Sequence, residues 1–472
     1  MCGFSGFTNP SSEKMAESIL KNMMAPIKHR GPDAESIFIN DKIALGHYRL
    51  SIIDIDGGYQ PRIDNENKNY LVFNGEIYEY KKHAKLLQSY GINLKDQSDT
   101  EVLFQSLIHL GVEKTLEMID GMYAFVFYEG KNDTRWLIRD PMGEKPLYYS
   151  TFKNNIYFSS EASGVVASNT NKPKNINKDA LLQYLHLDYI PEEKSLFEGV
   201  QKILPGQYIK ISKNEIIKKN YFSFSQNQKK ITTLKEATES IDFLLEKSIK
   251  ERLIADVPVG IFLSGGIDSS LIAYYAKKFH SNIASFTIKM KNDTYDESSY
   301  AKLVAEKLGI QNNIAEFNSN EIIKSLEIIE NKMDEPLGDP SILPTFLLSK
   351  FAKESVKVAL SGDGADELFC GYAPFKSVQY LKFLSLIPQN FGHIITSFME
   401  KIPSQDNYMS YHFLIKHISR GFGWPSHQQV FRWMSPFSDN NISKLLNKEF
   451  TSEYSAKNMW NEILPKEKPN VR

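Results

Sequence analysis

The chain has 472 residues, 42% of them hydrophobic and 24% charged, with 56 basic and 57 acidic side chains and a formal net charge of −1. That length exceeds one ordinary core and leads to an expectation of two or three domains, while the balanced charge argues against nucleic acid or an anionic membrane surface as partner. No apolar run reaches the roughly 18–20 residues that a membrane span requires, no secretory signal is visible, and the two cysteines, Cys2 and Cys370, suit a reducing cytoplasm rather than a disulfide scaffold.

The chain opens Met1-Cys2-Gly3-Phe4-Ser5-Gly6. Methionine before a small residue is normally removed, which would leave Cys2 carrying both a thiol and a free α-amine. An amine that titrates near ~8 beside a thiol near ~8.5 is a self-contained base and nucleophile, the arrangement of N-terminal-nucleophile hydrolases. Strand composition follows at residues 43–47, 70–73, 123–128, 136–139, 147–150 and 156–159. Turn signals separate them, among them Asp56-Gly57-Gly58 and Asn74-Gly75, and helical patterns fit 14–24, 77–89 and 100–110. Residues 1–215 are therefore expected to form a strand-rich sheet domain with helices packed outside. Residues 216–232 are polar and read as a linker, with Lys229-Lys230 a solvated pair.

From 233 to 472 the rhythm changes to strands alternating with helices, which indicates a doubly wound parallel sheet. The strands are expected at 257–263, 283–288 and 356–360, and beyond residue 372 the chain reads as mostly helical. The first of these strands, ending at Leu263, runs into Ser264-Gly265-Gly266-Ile267-Asp268-Ser269-Ser270 and a helix. Glycines that let backbone N–H groups approach, hydroxyl donors and a helix N-terminus make an anion site, and the absence of Gly-Lys-Ser/Thr disfavours a Walker-type loop. A second strand ends in Ser361-Gly362-Asp363-Gly364-Ala365-Asp366-Glu367. Both loops should open at one sheet edge, where ligands of doubly wound folds collect. Carboxylates beside a triphosphate imply Mg²⁺, with Asp268 and Asp366 as ligands and Asp363 as a base or orienting group. Helix capping is the plain alternative for these carboxylates. Cys370 reads as a small packed residue.

The chain resembles the glutamine-hydrolysing asparagine synthetases over most of residues 1–380. The resemblance is carried by Cys2-Gly3, His29-Arg30-Gly31-Pro32-Asp33, Arg49-Leu50-Ser51-Ile52, Phe73-Asn74-Gly75-Glu76-Ile77-Tyr78 and Ser98-Asp99-Thr100-Glu101. It continues through Arg139–Tyr149, the 264–270 loop, Asp334-Glu335-Pro336 to Pro344 and the 361–372 segment. It implies an αββα N-terminal-nucleophile sandwich followed by a doubly wound ATP-pyrophosphatase domain. Cys2 would attack the glutamine amide, with Asn74 and the Gly75 N–H as oxyanion hole. Arg49 would grip the substrate α-carboxylate, and Glu76 and Asp99 would bind its ammonium group or orient the pocket. In the second domain ATP would be held by Leu263, Ser264, Gly265, Gly266, Asp268, Ser269, Ser270, Ile288, Ser361 and Gly362, with Mg²⁺ on Asp268 and Asp366. The expected partners are glutamine, aspartate and ATP, with no nucleic acid and no membrane, and a homodimer is what the resemblance suggests.

Relatives continue well past the length of this chain, which leads to an expectation of a synthetase half incomplete at its C-terminus. Asp363 stands where some relatives have glutamate. The same motifs would serve an amidotransferase acting on another carboxylate, such as a sugar acid in surface-polysaccharide assembly. A truncated non-catalytic ATP-binding or regulatory protein is the alternative from a different class.

Overall fold

The computed structural model describes residues 1–168, 175–191, 193–213, 215–224, 231–290, 296–372, 375, 381–399, 401–402, 411–437 and 439–447. In chain order the first half contains β1 (Gly3–Thr8), α1 (Glu13–Met24), β2 (Ala34–Ile39), β3 (Ile43–Arg49), β4 (Arg62–Asp64), β5 (Asn69–Tyr78), α2 (Tyr80–Ser89), α3 (Asp99–Leu110) and α4 (Val112–Met118). It continues with β6 (Asp120–Glu129), β7 (Thr134–Arg139), β8 (Tyr148–Phe152), β9 (Asn155–Ser159), α5 (Ala162–Val166), α6 (Lys178–Leu187), β10 (Gln201–Lys202), β11 (Gln207–Ile211) and β12 (Ile216–Asn220). Two antiparallel six-stranded sheets result, in the orders β10-β8-β9-β1-β3-β2 and β12-β11-β7-β6-β5-β4.

The period-2 alternation of strand side chains decides how these sheets stack. In β5 and β6, Val72, Ala124 and Val126 face inward and meet Phe4, Leu45 and Phe158 of the other sheet in one buried cluster. Their neighbours Leu71, Phe73, Phe125 and Phe127 face outward and pack against Leu103, Phe104 and Leu107 of α3. On the opposite side Phe7, Ala44 and Tyr157 pack against Leu20 and Met23 of α1. Both faces of each sheet are covered, so the layers run helix, sheet, sheet, helix. This is the αββα sandwich of N-terminal-nucleophile proteins, and it explains why β1 and β3 are buried at every residue.

The second half contains α7 (Leu234–Arg252), β13 (Val259–Phe262), α8 (Ile267–Phe279), β14 (Ala284–Lys289), α9 (Ser298–Leu308), β15 (Gln311–Glu316), α10 (Ser319–Lys332), α11 (Ile342–Ala352), β16 (Val358–Leu360) and α12 (Ala365–Phe369). Its four strands are parallel in the order β15-β14-β13-β16. Chain order reverses across β13, so the loops after β13 and β16 lie side by side at the switch point where doubly wound sheets bind ligands. Ile261, Leu263, Ala273, Ala276, Ala301 and Ala305 form the buried seam between sheet and helices. Short helices occupy much of 381–445.

Several elements differ from the sequence expectation. Asn74-Gly75 is no turn but the middle of β5, where a Cβ on Gly75 would lie 2.1 Å from the Met122 carbonyl oxygen. Ile77 and Tyr78 belong to that strand, and the helix expected from residue 77 begins at Tyr80, after Glu79 turns the chain at φ +50°. In the expected linker 216–232, residues 216–220 form β12, an edge strand paired with β11. Residues 225–230, with Lys229-Lys230, lie outside the described residues. The polar strand β15 was not apparent in the sequence because an edge strand needs little apolar surface. Cys370 is exposed rather than packed, at φ +56° where the short α12 ends.

Candidate active sites

The first site lies in the sandwich, at the start of β1 and alongside β3 and β5. A pocket of about 540 Å³ is lined by Met1, Cys2, Arg49, Leu50, Asn74, Gly75, Glu76, Asp99 and Lys145, with Gln60, Phe73 and Met122 among the other walls. Cys2 is held by its backbone and its sulfur. Arg30 Nε donates to the Cys2 carbonyl at 3.0 Å, and the Leu50 N–H donates to Sγ at 3.4 Å. Arg30 is itself fixed by Glu161 at 2.7 Å, and His29 meets the same carboxylate at 2.9 Å. Burial pushes the Cys2 thiol up, and the Leu50 N–H and the nearby terminal amine oppose that rise.

Asn74 is 1% exposed, and neither its Nδ2 nor its Oδ1 has a hydrogen-bond partner among the described residues. A buried amide left unpaired costs on the order of 1–3 kcal/mol, which marks it as a group kept for a ligand. The Gly75 N–H is placed by register. Gly75 pairs with Tyr123, whose own N–H and carbonyl are both taken by Asp140. On the free edge of β5 the Phe73 N–H reaches Gln60 Oε1 at 2.6 Å, and the Ile77 N–H reaches Asp99 Oδ2 at 3.0 Å. The Gly75 N–H emerges between them, into the pocket, so Asn74 and Gly75 offer two donors side by side.

Asp99 is the first residue of α3, while Ser98 is the N-cap, accepting from the Glu101 N–H at 3.0 Å. The Asp99 carboxylate ties α3 to β5, and burial, opposed by these hydrogen bonds, raises it to about 6. Glu76 is raised to about 7, chiefly by burial and then by the Asp99 charge. Arg49 lines the same pocket with its guanidinium on the carbonyls of Asp54 at 2.6 Å, Ile55 at 3.2 Å and Ile53 at 3.4 Å. A fork from Arg49 to a carboxylate, as expected from the sequence, therefore requires some of these bonds to be exchanged. Lys145, Arg30 and Gln60 also shape this site, roles that the sequence did not reveal. Lys145 follows the exposed Glu144 in the Arg139–Tyr149 motif, and its place in that motif was the available signal.

The second site opens at the carboxyl edge of the parallel sheet. A cleft of about 1050 Å³ is lined by Leu263, Ser264, Gly266, Asp268, Ser269, Ile288, Ser361, Gly362 and Asp363, with Thr287, Pro344 and Thr345 opposite. Gly265 holds φ +85°, and a Cβ there would lie 2.5 Å from the Ala301 backbone nitrogen, so only glycine lets the loop lie against α9. The Ser264 and Ser269 hydroxyls are 3.0 Å apart, and the Ser264 N–H donates to Ser269 Oγ at 3.3 Å, which fixes the turn at the N-terminus of α8. Gly265 and Ser270 do not line the cleft, and the Ser270 hydroxyl is buried with no hydrogen-bond partner among the described residues. Gly362 packs against Asp268, its added Cβ falling 3.1 Å from the Asp268 Cβ, so the two loops are in contact. Asp363 is held by the Ser361 hydroxyl at 2.9 Å.

Among the described residues no group of three or more acidic, histidine or cysteine side chains gathers to hold a metal. The donor set fits Mg²⁺ nonetheless, since that ion takes one or two carboxylates and completes its shell with phosphate oxygens and water. Asp268 and Asp363 face the cleft, whereas Asp366, in the first turn of α12, does not line it. Asp334 and Glu335, grouped with this site in the sequence, face the other domain instead. Glu335 accepts from the Tyr148 hydroxyl and the Leu196 N–H, both at 2.8 Å, and pairs with Lys202 at 3.4 Å. Asp334 accepts from the Ser163 N–H at 2.9 Å. Ten residues on, Pro344 lines the cleft, so one segment touches both halves.

The layers and the two clefts define a class: an N-terminal-nucleophile sandwich joined to a doubly wound domain of the ATP-pyrophosphatase type. Comparison with known proteins agrees. Residues 1–222 match the glutamine amidotransferase domain family, and residues 240–462 match the asparagine synthase family. The chain is 36% identical over 393 residues to asparagine synthetase [glutamine-hydrolyzing] 1 of Bacillus subtilis, covering 82% of this chain and 61% of that protein. It is 35% identical over 413 residues to putative asparagine synthetase [glutamine-hydrolyzing] 2 of Methanocaldococcus jannaschii, covering 82% and 79%. It is 28% identical to a Gibberella zeae protein named amidase chry2, covering 80% and 60%. The chain belongs to the glutamine-hydrolysing asparagine synthetase family, and it spans about three fifths of the Bacillus relative's length.

Proposed function

We propose that the chain is a glutamine-dependent amide ligase: a glutaminase in the N-terminal sandwich, which runs through β12, joined to an ATP-dependent synthetase in 233–472, with aspartate as acceptor. The observation that carries the reading is the unpaired, buried Asn74 amide in one pocket with Cys2.

In this reading Met1 is removed. Its side chain lines the pocket, with Sδ 3.3 Å from Lys145 Nζ, so its loss opens space beside the nucleophile. The freed amine accepts the Cys2 thiol proton, and Sγ bonds to the amide carbon of glutamine. Asn74 and the Gly75 N–H meet the developing oxyanion. The C–N bond breaks, the proton returns to the departing ammonia, and water hydrolyses the thioester to glutamate. Arg49 and Asp99 bind and orient the amino-acid end of the substrate, with Glu76 shaping the pocket wall.

In the second half the 264–270 loop cradles the pyrophosphate of ATP at the α8 N-terminus, and Ile288 and Leu263 flank the nucleotide. Asp268, which lines the cleft, would hold Mg²⁺, and the ion would neutralise phosphate charge there; Asp366, the second ligand expected from the sequence, does not line the cleft in this structure. Asp363 orients the acceptor carboxylate or takes a proton at its oxygen. The acceptor carboxylate becomes an acyl-adenylate with release of pyrophosphate, and ammonia displaces AMP to give the amide. The two-cysteine composition fits action in the cytoplasm.

The test separates the halves. Glutamate release from glutamine should be lost in Cys2→Ala. Pyrophosphate release from MgATP and ammonium should depend on aspartate rather than on any of a panel of sugar acids. Pyrophosphate formation with a sugar acid and not aspartate would reassign the acceptor, and none with any acceptor would reduce the proposal to a glutaminase.

A further inference from the structure

Lys145 stands apart among the pocket's charged groups. It is 6% exposed, lies in the turn between β7 and β8, and lines the pocket with Cys2 and Glu76. No carboxylate lies within ion-pair distance of its Nζ among the described residues. Its hydrogen bond runs to the Met1 sulfur at 3.3 Å, and Arg30 Nη2 approaches the same sulfur at 3.9 Å. Met1 is thus seated between two cations. Its removal leaves both facing the new terminus, with Arg30 still anchored on the Cys2 carbonyl at 3.0 Å. A buried ammonium without a close counterion is costly and is kept only where its field is used.

We propose that Lys145 is a positioning residue for the glutaminase nucleophile: with Arg30 it keeps the residue-2 α-amine unprotonated, so that the amine can accept the Cys2 thiol proton. This rests on the assignment of Cys2 as nucleophile after loss of Met1. Like charge near an amine disfavours its protonated form. The charged groups around the amine come from four elements: Cys2 at the start of β1, Arg30 from the turn after α1, Lys145, and Glu76 on β5. Burial, and then Arg30 and Lys145, lower the amine at the present terminus to about 6, against the opposing charges of Cys2 and Glu76. Burial lowers the Lys145 ammonium and Arg30 acts in the same direction, while Glu144, Glu76 and Asp140 favour its charged form. Arg49 and Asp99 act on Cys2, and Arg252 of α7 acts on Glu76.

The readout is the acidic limb of kcat/KM for glutamate release, which reports ionisation of the free enzyme. In Lys145→Met the amine should hold its proton to higher pH. The limb should move up by about one pH unit, a loss of roughly tenfold one unit below the wild-type midpoint, with recovery on the alkaline side. Lys145→Arg should leave the limb in place. Lys145→Gln, which keeps a polar chain of similar reach, replaces Lys145→Met if that variant does not fold. Activity lowered by one factor at every pH, or an unmoved limb, overturns the proposal while Cys2 remains the nucleophile. Cys2→Ala that still hydrolyses glutamine, or active enzyme that retains Met1 by mass spectrometry, defeats the underlying assignment instead.

Discussion

The two pockets are built in opposite ways. The Cys2 pocket is carved inside a sandwich whose sheets are covered on both faces, and its walls are residues committed to each other: Asp99 to the Ile77 N–H, Gln60 to the Phe73 N–H, Arg49 to three carbonyls. The synthetase cleft is a sheet edge with two touching loops, where Asp363 is exposed and the serines of the first loop bond mostly to each other. Preorganised donors in a water-poor site suit a reaction that must stabilise an oxyanion. An open edge suits a large polyanionic ligand that brings its own charge and metal. The difference teaches that the first pocket's chemistry can be read from unpaired groups, and the second's only from shape and backbone.

Four measurements would break or sharpen this contrast. Cys2→Ala should lower glutamate release by on the order of 10⁴-fold or more, with ammonium-dependent pyrophosphate release intact. Loss of both would mean that the pockets are not separable. Asn74→Ala should lower kcat for glutamate release by about 10²–10³-fold with KM little changed, as removal of an oxyanion donor does. A change confined to KM would assign Asn74 to ground-state binding. Glu335→Ala leaves Lys202 and the Tyr148 hydroxyl, neighbours on paired strands of the sandwich, without their carboxylate partner from the second domain. It should cost about 3 kcal/mol in thermal unfolding, and calorimetry should resolve two transitions in place of one.

The smallest effect concerns pH. Glu76 is raised from 4.5 to about 7 in the folded chain, so folding binds a proton there. Its stabilising contribution is full below about pH 4.5 and is lost as pH rises through about 7. Glu76→Gln removes that term. Relative to wild type the variant should gain about 2 kcal/mol in unfolding free energy between pH 4 and pH 8, less than the full shift because Asp99 titrates with it. A constant difference across that range would show that Glu76 is not held in a desolvated wall.

Much of this was legible in the chain itself. Strand composition at 70–73 and 123–128 pointed to a sheet domain with helices packed outside, and the run from Leu263 to Ser270 pointed to a strand, a tight glycine turn and a helix end. Cys2, Arg49, Asn74, Gly75, Glu76 and Asp99 line one pocket, while the 29–33 motif lies outside it. Other features were not legible because they depend on what the chain meets across a long separation. Asn74-Gly75 looked like a turn, since a dipeptide does not reveal that the Met122 carbonyl lies 2.1 Å from where a Cβ on Gly75 would sit. Asp334-Glu335 sat in a synthetase motif, yet their partners are Ser163, Tyr148 and Leu196 of the other domain.

Alone, the order of residues determined the elements and the chemistry available at each loop, because side-chain period, turn residues and functional groups are local properties. Only the tertiary structure decided which groups are spent and which are left over. Arg49 is occupied by carbonyls four to six residues away and Ser269 by its own loop, while among the described residues the Asn74 amide is buried unpaired and the Lys145 ammonium meets only the Met1 sulfur. Satisfaction of a buried polar group is a property of its surroundings, and those exist only once distant strands have closed around it.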